Sequence, residues 1–255
     1  MINVFKILKS YNLTFVKLKK DFLLNLRRII ESKYSSLKRF NNIFSIINYP
    51  NMKYMFSDKS KTQRLSTICR ICKEMNIDEN EIYDNIIGFE SRGSTKNKPI
   101  KIPKFIKADN FFVEGFSLYL AEGDTGLSGK RTPKKLRFTN SCMEVVKYYC
   151  KWLRRTFPDA EYYLSVVNSN KEKLSAQEIE KIKKDLKIDK VNTRTGKYNK
   201  IVKYVVCCDY SLLIHIITKI EPILKNIVKF DEKLSCSYIR GLMIGEGTAY
   251  MKGYF

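Results

Sequence analysis

Two acidic residues stand at matching places in this chain. FFVEGFSLYLAEGDTG (111–126) and SYIRGLMIGEGTAY (237–250) each carry an apolar run into a small residue, a glutamate and a glycine. In the first, Ser117 and Ala121 lie four apart; in the second, Gly241 and Gly245 do, so each segment read as a helix carries a strip of small residues on one face. Two such strips let helix backbones approach closely. Packed side by side and parallel, the helices bring Glu122 and Glu246 out together at their C-terminal ends. There both carboxylates meet the negative ends of two helix dipoles and each other, an arrangement that needs a cation. Hard carboxylate oxygens with water in the remaining positions suit Mg²⁺, and such an ion activates water and stabilises charge on a phosphate during hydrolysis. Taken singly, each glutamate reads as an exposed last-turn residue and each strip as a core contact; the repeated order favours the shared site.

The elements that must hold these helices follow from periodicity. Asp109 or Asn110 caps a helix running to about Glu122, after which Gly123, Gly126 and Gly129 break the pattern. KKLRFTN (134–140) alternates, with Leu136 and Phe138 on one strand face and Lys135, Arg137 and Thr139 on the other. Ser141 and Glu144 have the spacing of a capping box opening a helix whose stripe is Val145, Val146, Tyr149, Trp152 and Leu153. EYYLSVVNS reads as a strand, AQEIEKIKKDLK as a helix and NKIVKYVVCC as a strand, with Thr193 to Lys200 a basic loop before it. SLLIHIITKIEPILKNIV reads as a buried helix bent at Pro222, and the second glutamate helix starts near Ser235. Before all of this, residues 1–60 read as a basic helical region, chiefly Thr14 to Ile47. Residues 62–89 read as two short helices around a polar turn, a weak helix-turn-helix pattern, and the Pro-containing basic stretch 91–104 as a linker.

Composition narrows the partners. Forty-eight Lys and Arg against twenty-six Asp and Glu give +22, which points to a polyanion, with nucleic acid ahead of an anionic membrane because the cations are spread over loops and strands. No run is long and apolar enough for a membrane span and no signal peptide is legible, so the expectation is a cytoplasmic protein. The seven cysteines are odd in number, and Cys69-x-x-Cys72 has no second ligand pair, so they read as reduced core thiols. His215, the one histidine, sits in an apolar helix, which removes most histidine-based catalysis.

With the two nonapeptides GFSLYLAEG (115–123) and IRGLMIGEG (239–247) in view, the chain resembles the LAGLIDADG homing endonucleases in their archaeal, intein-like style. Ser117 replaces the usual glycine, and Leu120 and Ile244 stand at the sixth position where the namesake motif has aspartate. The resemblance covers residues 103–255. It implies an α+β fold: an antiparallel β-saddle with helices on one face, the motif helices forming its central seam (Ser117, Ala121, Gly241, Gly245). An all-helical N-terminal region would precede it. With the reading of the N-terminal stretches given above, the expected organisation is a basic helical segment (1–60) and a candidate helix-turn-helix and linker (61–102), followed by what the resemblance implies, a first repeat (103–234) and the start of a truncated second repeat (235–255).

It further implies a metal-dependent hydrolase of DNA phosphodiesters. Glu122 and Glu246 would be the catalytic and metal-binding acids with Gly123 and Gly247 beside them, Mg²⁺ the cofactor and double-stranded DNA the partner. DNA contacts would come from the hairpin cations Lys130, Arg131, Lys134, Lys135 and Arg137 and from Arg194, Lys197, Lys200 and Lys203. A second chain would complete the missing repeat, whose absence leaves the outward face of the second motif helix uncovered. The alternatives are a non-catalytic DNA-binding regulator of the same fold and a decayed fragment.

Overall fold

The computed structural model describes residues 1–57, 59–91, 98–124, 135–168, 174–195 and 202–246. They fall into two compact units, Asn3–Lys104 and the chain from Phe105 onward with Met1–Ile2. In chain order the first part contains β1 (Ile2–Asn3), α1 (Val4–Ser10), β2 (Thr14–Leu18), α2 (Lys20–Tyr34), α3 (Leu37–Phe44), α4 (Tyr49–Met55), β3 (Gln63–Arg64), α5 (Leu65–Glu74), α6 (Glu79–Asp84) and β4 (Ile86–Ser91).

The expectation of an all-helical N-terminal region is corrected. TFVKL alternates with period two, burying Thr14, Val16 and Leu18 and exposing Lys17, and it forms the centre of a three-stranded antiparallel sheet ordered β3-β2-β4. The helix expected from Thr14 begins at Lys20. The helix-turn-helix pattern is present only as a short pair. Asn76 makes the left-handed turn (φ 56°), and α6 has six residues and exposes Glu79, Glu81 and Asp84. Acidic side chains thus line the outer side of α6, with Glu79 paired to Lys9 of α1. Residues beyond Ile86 join the sheet instead. Of the stretch expected to be a linker, residues 92–97 lie outside the described residues, and the part around Pro99 and Ile100 packs on β4: Phe89 bridges Ile100, and a side chain at Gly88 would meet Pro99 Cβ at 2.7 Å. Cys69 and Cys72 are buried on α5, where burial pushes their thiols up to about 11 and about 12.

The second unit holds β5 (Phe105–Ile106), α7 (Asn110–Glu122), β6 (Leu136–Asn140), α8 (Met143–Thr156), β7 (Tyr163–Asn168), α9 (Ala176–Leu186), β8 (Lys190–Thr195), β9 (Lys203–Cys208), α10 (Ser211–Val228) and α11 (Glu232–Gly245). Its four-stranded sheet runs β6-β9-β7-β8, antiparallel except that β7 and β8 are parallel across α9. The observed class is therefore α+β with a mixed sheet. The basic loop expected from Thr193 is corrected as far as Thr195, since those residues complete β8.

Leu136 and Phe138 of β6 turn inward, and the Phe138 ring stacks on Tyr149 of α8 at 4.0 Å between centroids. Trp152 completes that core and donates from Nε1 to the Phe112 carbonyl at 3.1 Å. The capping box expected at Ser141 and Glu144 does not form: Cys142 is the N-cap without a side-chain bond, and Glu144 pairs with Lys147 at 2.7 Å. A capping box does form at Ser175 and Glu178, at the start of α9. Pro222 lies inside α10, and α11 begins at Glu232, capped by Asp231, three residues before the expected start.

Candidate metal and nucleic-acid site

The site is built on α7 and α11. Asp109 caps α7 by accepting from the Phe112 amide at 2.9 Å, and Asp231 caps α11 by accepting from Leu234 at 3.0 Å. Their small residues meet in register. A Cβ on Gly241 would lie 2.0 Å from Ser117 Oγ and 2.2 Å from the Glu114 carbonyl oxygen; one on Gly245 would lie 2.4 Å from Ala121 Cβ. Moving four residues along α11 thus moves four along α7 in the same direction, so the helices run parallel with backbones in near contact. Ser237, 2% exposed, continues the α11 strip one turn earlier, beyond the pair of small residues that precedes each glutamate.

This register places Glu122 and Glu246 beside each other. Burial first, and the Glu246 carboxylate second, push the Glu122 carboxyl above the ordinary range, while Lys203 pulls it back. Glu122 is half-buried and Glu246, the C-cap of α11, is exposed. Among the described residues no group of three or more His, Cys, Asp or Glu side chains is placed to hold a metal ion. The donor set is therefore two carboxylates, which fits a hard divalent cation that keeps most of its water.

Gly123 has a packing reason for being glycine. Its amide donates to Tyr119 O at 2.7 Å, a Cβ there would strike the Tyr119 ring at 2.4 Å, and the residue bridges Phe138. With Asp124 N donating to Arg137 O at 2.9 Å, the chain leaving α7 lies antiparallel to β6. Gly115 plays the same part on the other side of α7, where Trp152 would be 2.2 Å from an added Cβ. Gly247, Lys130, Arg131, Lys134, Lys197 and Lys200 lie outside the described residues.

The remaining predicted cations fall on one sheet face. Residues opposite one another in the registers share a face, so Arg137, Cys207, Tyr163 and Lys190 form one row across the four strands, and Lys203, Val167 and Arg194 form another. Arg137, Lys190, Arg194 and Lys203 are exposed. Lys190 belongs to this face and was missed, because β8 has no apolar alternation to mark it as a strand. Lys135 joins the same face but is engaged: its Nζ lies 3.0 Å from Asp209 and 3.1 Å from Tyr163 OH, which in turn bonds Asp209 at 3.0 Å. Those bonds raise the Lys135 pKa, Tyr163 contributing first. Lys203 is common to both features, lying on the basic face and within electrostatic reach of Glu122.

No helix among the described residues is long and apolar enough to cross a membrane. The chain matches no protein-family model, no curated protein and no solved structure.

Proposed function

We propose that the unit from Phe105 onward is a DNA-binding unit of LAGLIDADG homing-endonuclease type, its sheet forming the saddle, that hydrolyses phosphodiesters with a divalent cation. The observation that carries this reading is the parallel seam ending in two adjacent carboxylates, with Lys203 connecting them to a sheet face bearing Arg137, Lys190 and Arg194. On this reading the cations of the sheet hold DNA phosphates, and Glu122 and Glu246 hold Mg²⁺. Bound there, the ion would supply a water of lowered pKa and charge stabilisation at the phosphorus centre. Glu122, half-buried and raised in pKa, is relieved of its unfavourable charge when a cation binds.

Incubation of the full chain with a supercoiled plasmid library and Mg²⁺ tests the reading. Nicking or cutting that EDTA stops, and that Glu122→Gln and Glu246→Gln each abolish while DNA binding stays intact or improves, is expected. Binding should weaken with salt, and neutralising Arg137 and Lys203 together should lower the slope by about two at most. A salt slope that ignores these two residues would move the DNA surface elsewhere.

The second reading, a non-catalytic DNA-binding protein of the same fold, is favoured by the small donor set at the seam. Salt-sensitive duplex binding with no Mg²⁺-dependent cleavage would select it.

A further inference from the structure

The unit Asn3–Lys104 contains a cavity of its own. Its volume is about 570 Å³, within the usual span for a small-molecule site, and it forms where β2, β4, α2 and the chain after α4 come together. Among its lining residues Leu18 and Phe56 are buried, whereas Leu24 and Ile87 are 40% and 42% exposed, so its apolar wall is open on one side. A break in the strand pairing accompanies it. Lys17 pairs with Gly88 and Leu18 with Ile86, which leaves Ile87 as an extra residue of β4 without a partner on β2. A bulge of this kind re-aims a side chain, and Ile87 is the residue that β4 presents, exposed, to the cavity.

Three charged side chains of the lining, Lys17, Lys61 and Glu90, make no hydrogen bond or ion pair among the described residues. Glu90 stands opposite Phe15 in the register, which makes it a diagonal neighbour of Lys17 on one sheet face. Burial raises the Glu90 carboxyl above its ordinary range, and Lys17 pulls it back. A half-buried carboxylate without a donor is unfavourable until something supplies one.

Each part of the cavity restricts its ligand. The apolar wall calls for an uncharged body, and the two lysines call for an anion. The carboxylate only accepts, so it calls for two N–H groups side by side. An alkyl chain with an acidic head meets the first two demands and leaves Glu90 bare. Among the common nucleobases guanine alone sets two N–H groups, N1–H and N2–H, next to each other on one edge. Adenine and cytosine place their amino group beside a ring-nitrogen acceptor, and uracil flanks N3–H with two carbonyls, so each turns a lone pair toward the carboxylate.

We propose that this cavity binds a guanine nucleotide, the base against Leu24 and Ile87 with N1–H and N2–H donating to Glu90, and the 5′-phosphate held by Lys17 and Lys61. The flexible four-carbon stems of the lysines let their ammonium groups follow the phosphate. A free nucleotide and an unpaired guanine of a strand share this chemistry. The site lies wholly within Asn3–Lys104 and is independent of the function proposed for the other unit.

Calorimetric titration of the full chain with GMP, AMP, CMP and UMP tests this. GMP should bind at a single site, at least about tenfold more tightly than the other three. Glu90→Gln should weaken GMP at least about tenfold, because a carboxamide offers one acceptor and a donor where two acceptors are needed. Replacing both Lys17→Ala and Lys61→Ala should bring the affinity for GMP down to that for guanosine. Competition then reads the source. An oligothymidylate with one central dG that displaces GMP more effectively than guanosine does, where plain oligothymidylate does not, assigns the site to a strand; displacement by mononucleotides only assigns it to the free nucleotide. GMP that fails to bind at millimolar concentration, or that binds no better than AMP, overturns the proposal on the parent chain alone. Folded Glu90→Gln with parental GMP affinity overturns it as well.

Discussion

The two glutamate helices share a pattern and differ in their surroundings. In GFSLYLAEG, Tyr119 lies between the small residues of the strip and is 1% exposed; in IRGLMIGEG the matching residue, Met243, is 57% exposed. α7 is buried on several sides, with Gly115 against Trp152 on one and Ser117 against Gly241 on another. α11 buries Leu234, Ser237, Gly241 and Gly245, a single stripe, and leaves Ile239 at 55% exposure. Identical spacing of small residue, acid and glycine therefore specifies how the two helices meet each other and says little about what covers their other faces. α7 is a core element that also presents a carboxylate, whereas α11 is held by its contact with α7 and, through fewer contacts, with α10.

Truncations at the matched positions should expose this asymmetry. Tyr119 stacks parallel to Tyr149 at 6.2 Å and its hydroxyl donates to the Asp124 carbonyl at 3.1 Å, so Tyr119→Ala removes packing and a hydrogen bond together. A loss of about 3–5 kcal/mol, the range for aromatic truncation in a core, is expected from denaturant unfolding. Next come Gly241→Leu and Gly245→Leu, which force side chains into backbone contact and should destabilise by about 1–3 kcal/mol. Met243→Ala, at an exposed position, should fall within about 0.5 kcal/mol of the parent. Equal midpoints for Gly241→Leu and Met243→Ala would mean that α11 does not pack on α7 through its glycine face.

The seam was legible because small residues at four-residue spacing make a statement about one face of a helix, and a second copy supplies the partner. The strands with alternating apolar residues, β6, β7 and β9, were legible for the same reason. β8 was not: KVNTRT lies at the sheet edge, carries few apolar residues and pairs in parallel through α9, so nothing in its composition separates it from a basic loop. β2 is hidden in the sequence because Thr14 to Leu18 runs without a break into the helical stripe Phe22, Leu26 and Ile30. The cap at Ser141 failed for a different reason. Asn140, one residue earlier, accepts from the Cys142 amide at 2.8 Å, which shows a local side chain competing for the turn that the Ser-x-x-Glu spacing predicts. Glu114 and Arg240, 126 residues apart, carry no pairing signal at all until the seam is assembled.

The smallest expected effect bears on the carboxylates themselves. Glu122 has its pKa raised by burial and then by Glu246, so the folded chain holds that proton to higher pH than the unfolded chain does. Between the ordinary glutamate value and the raised one, the folded state binds more protons, and stability falls as pH rises through that window; above it the penalty is present in full. Glu122→Gln removes the titrating group. In the absence of metal it should therefore be slightly more stable than the parent at neutral pH, with the gain disappearing as pH falls below the ordinary carboxylate range. Glu246→Gln should have the same sign by a different route, since it removes the charge that helps to raise Glu122. Thermal unfolding of parent and both variants from pH 3.5 to 8, with and without Mg²⁺, measures this directly. Mg²⁺ should stabilise the parent above the window and leave both variants unmoved. If the ion shifts all three alike, or none, the adjacency of the two glutamates is a consequence of helix packing and not a shared site.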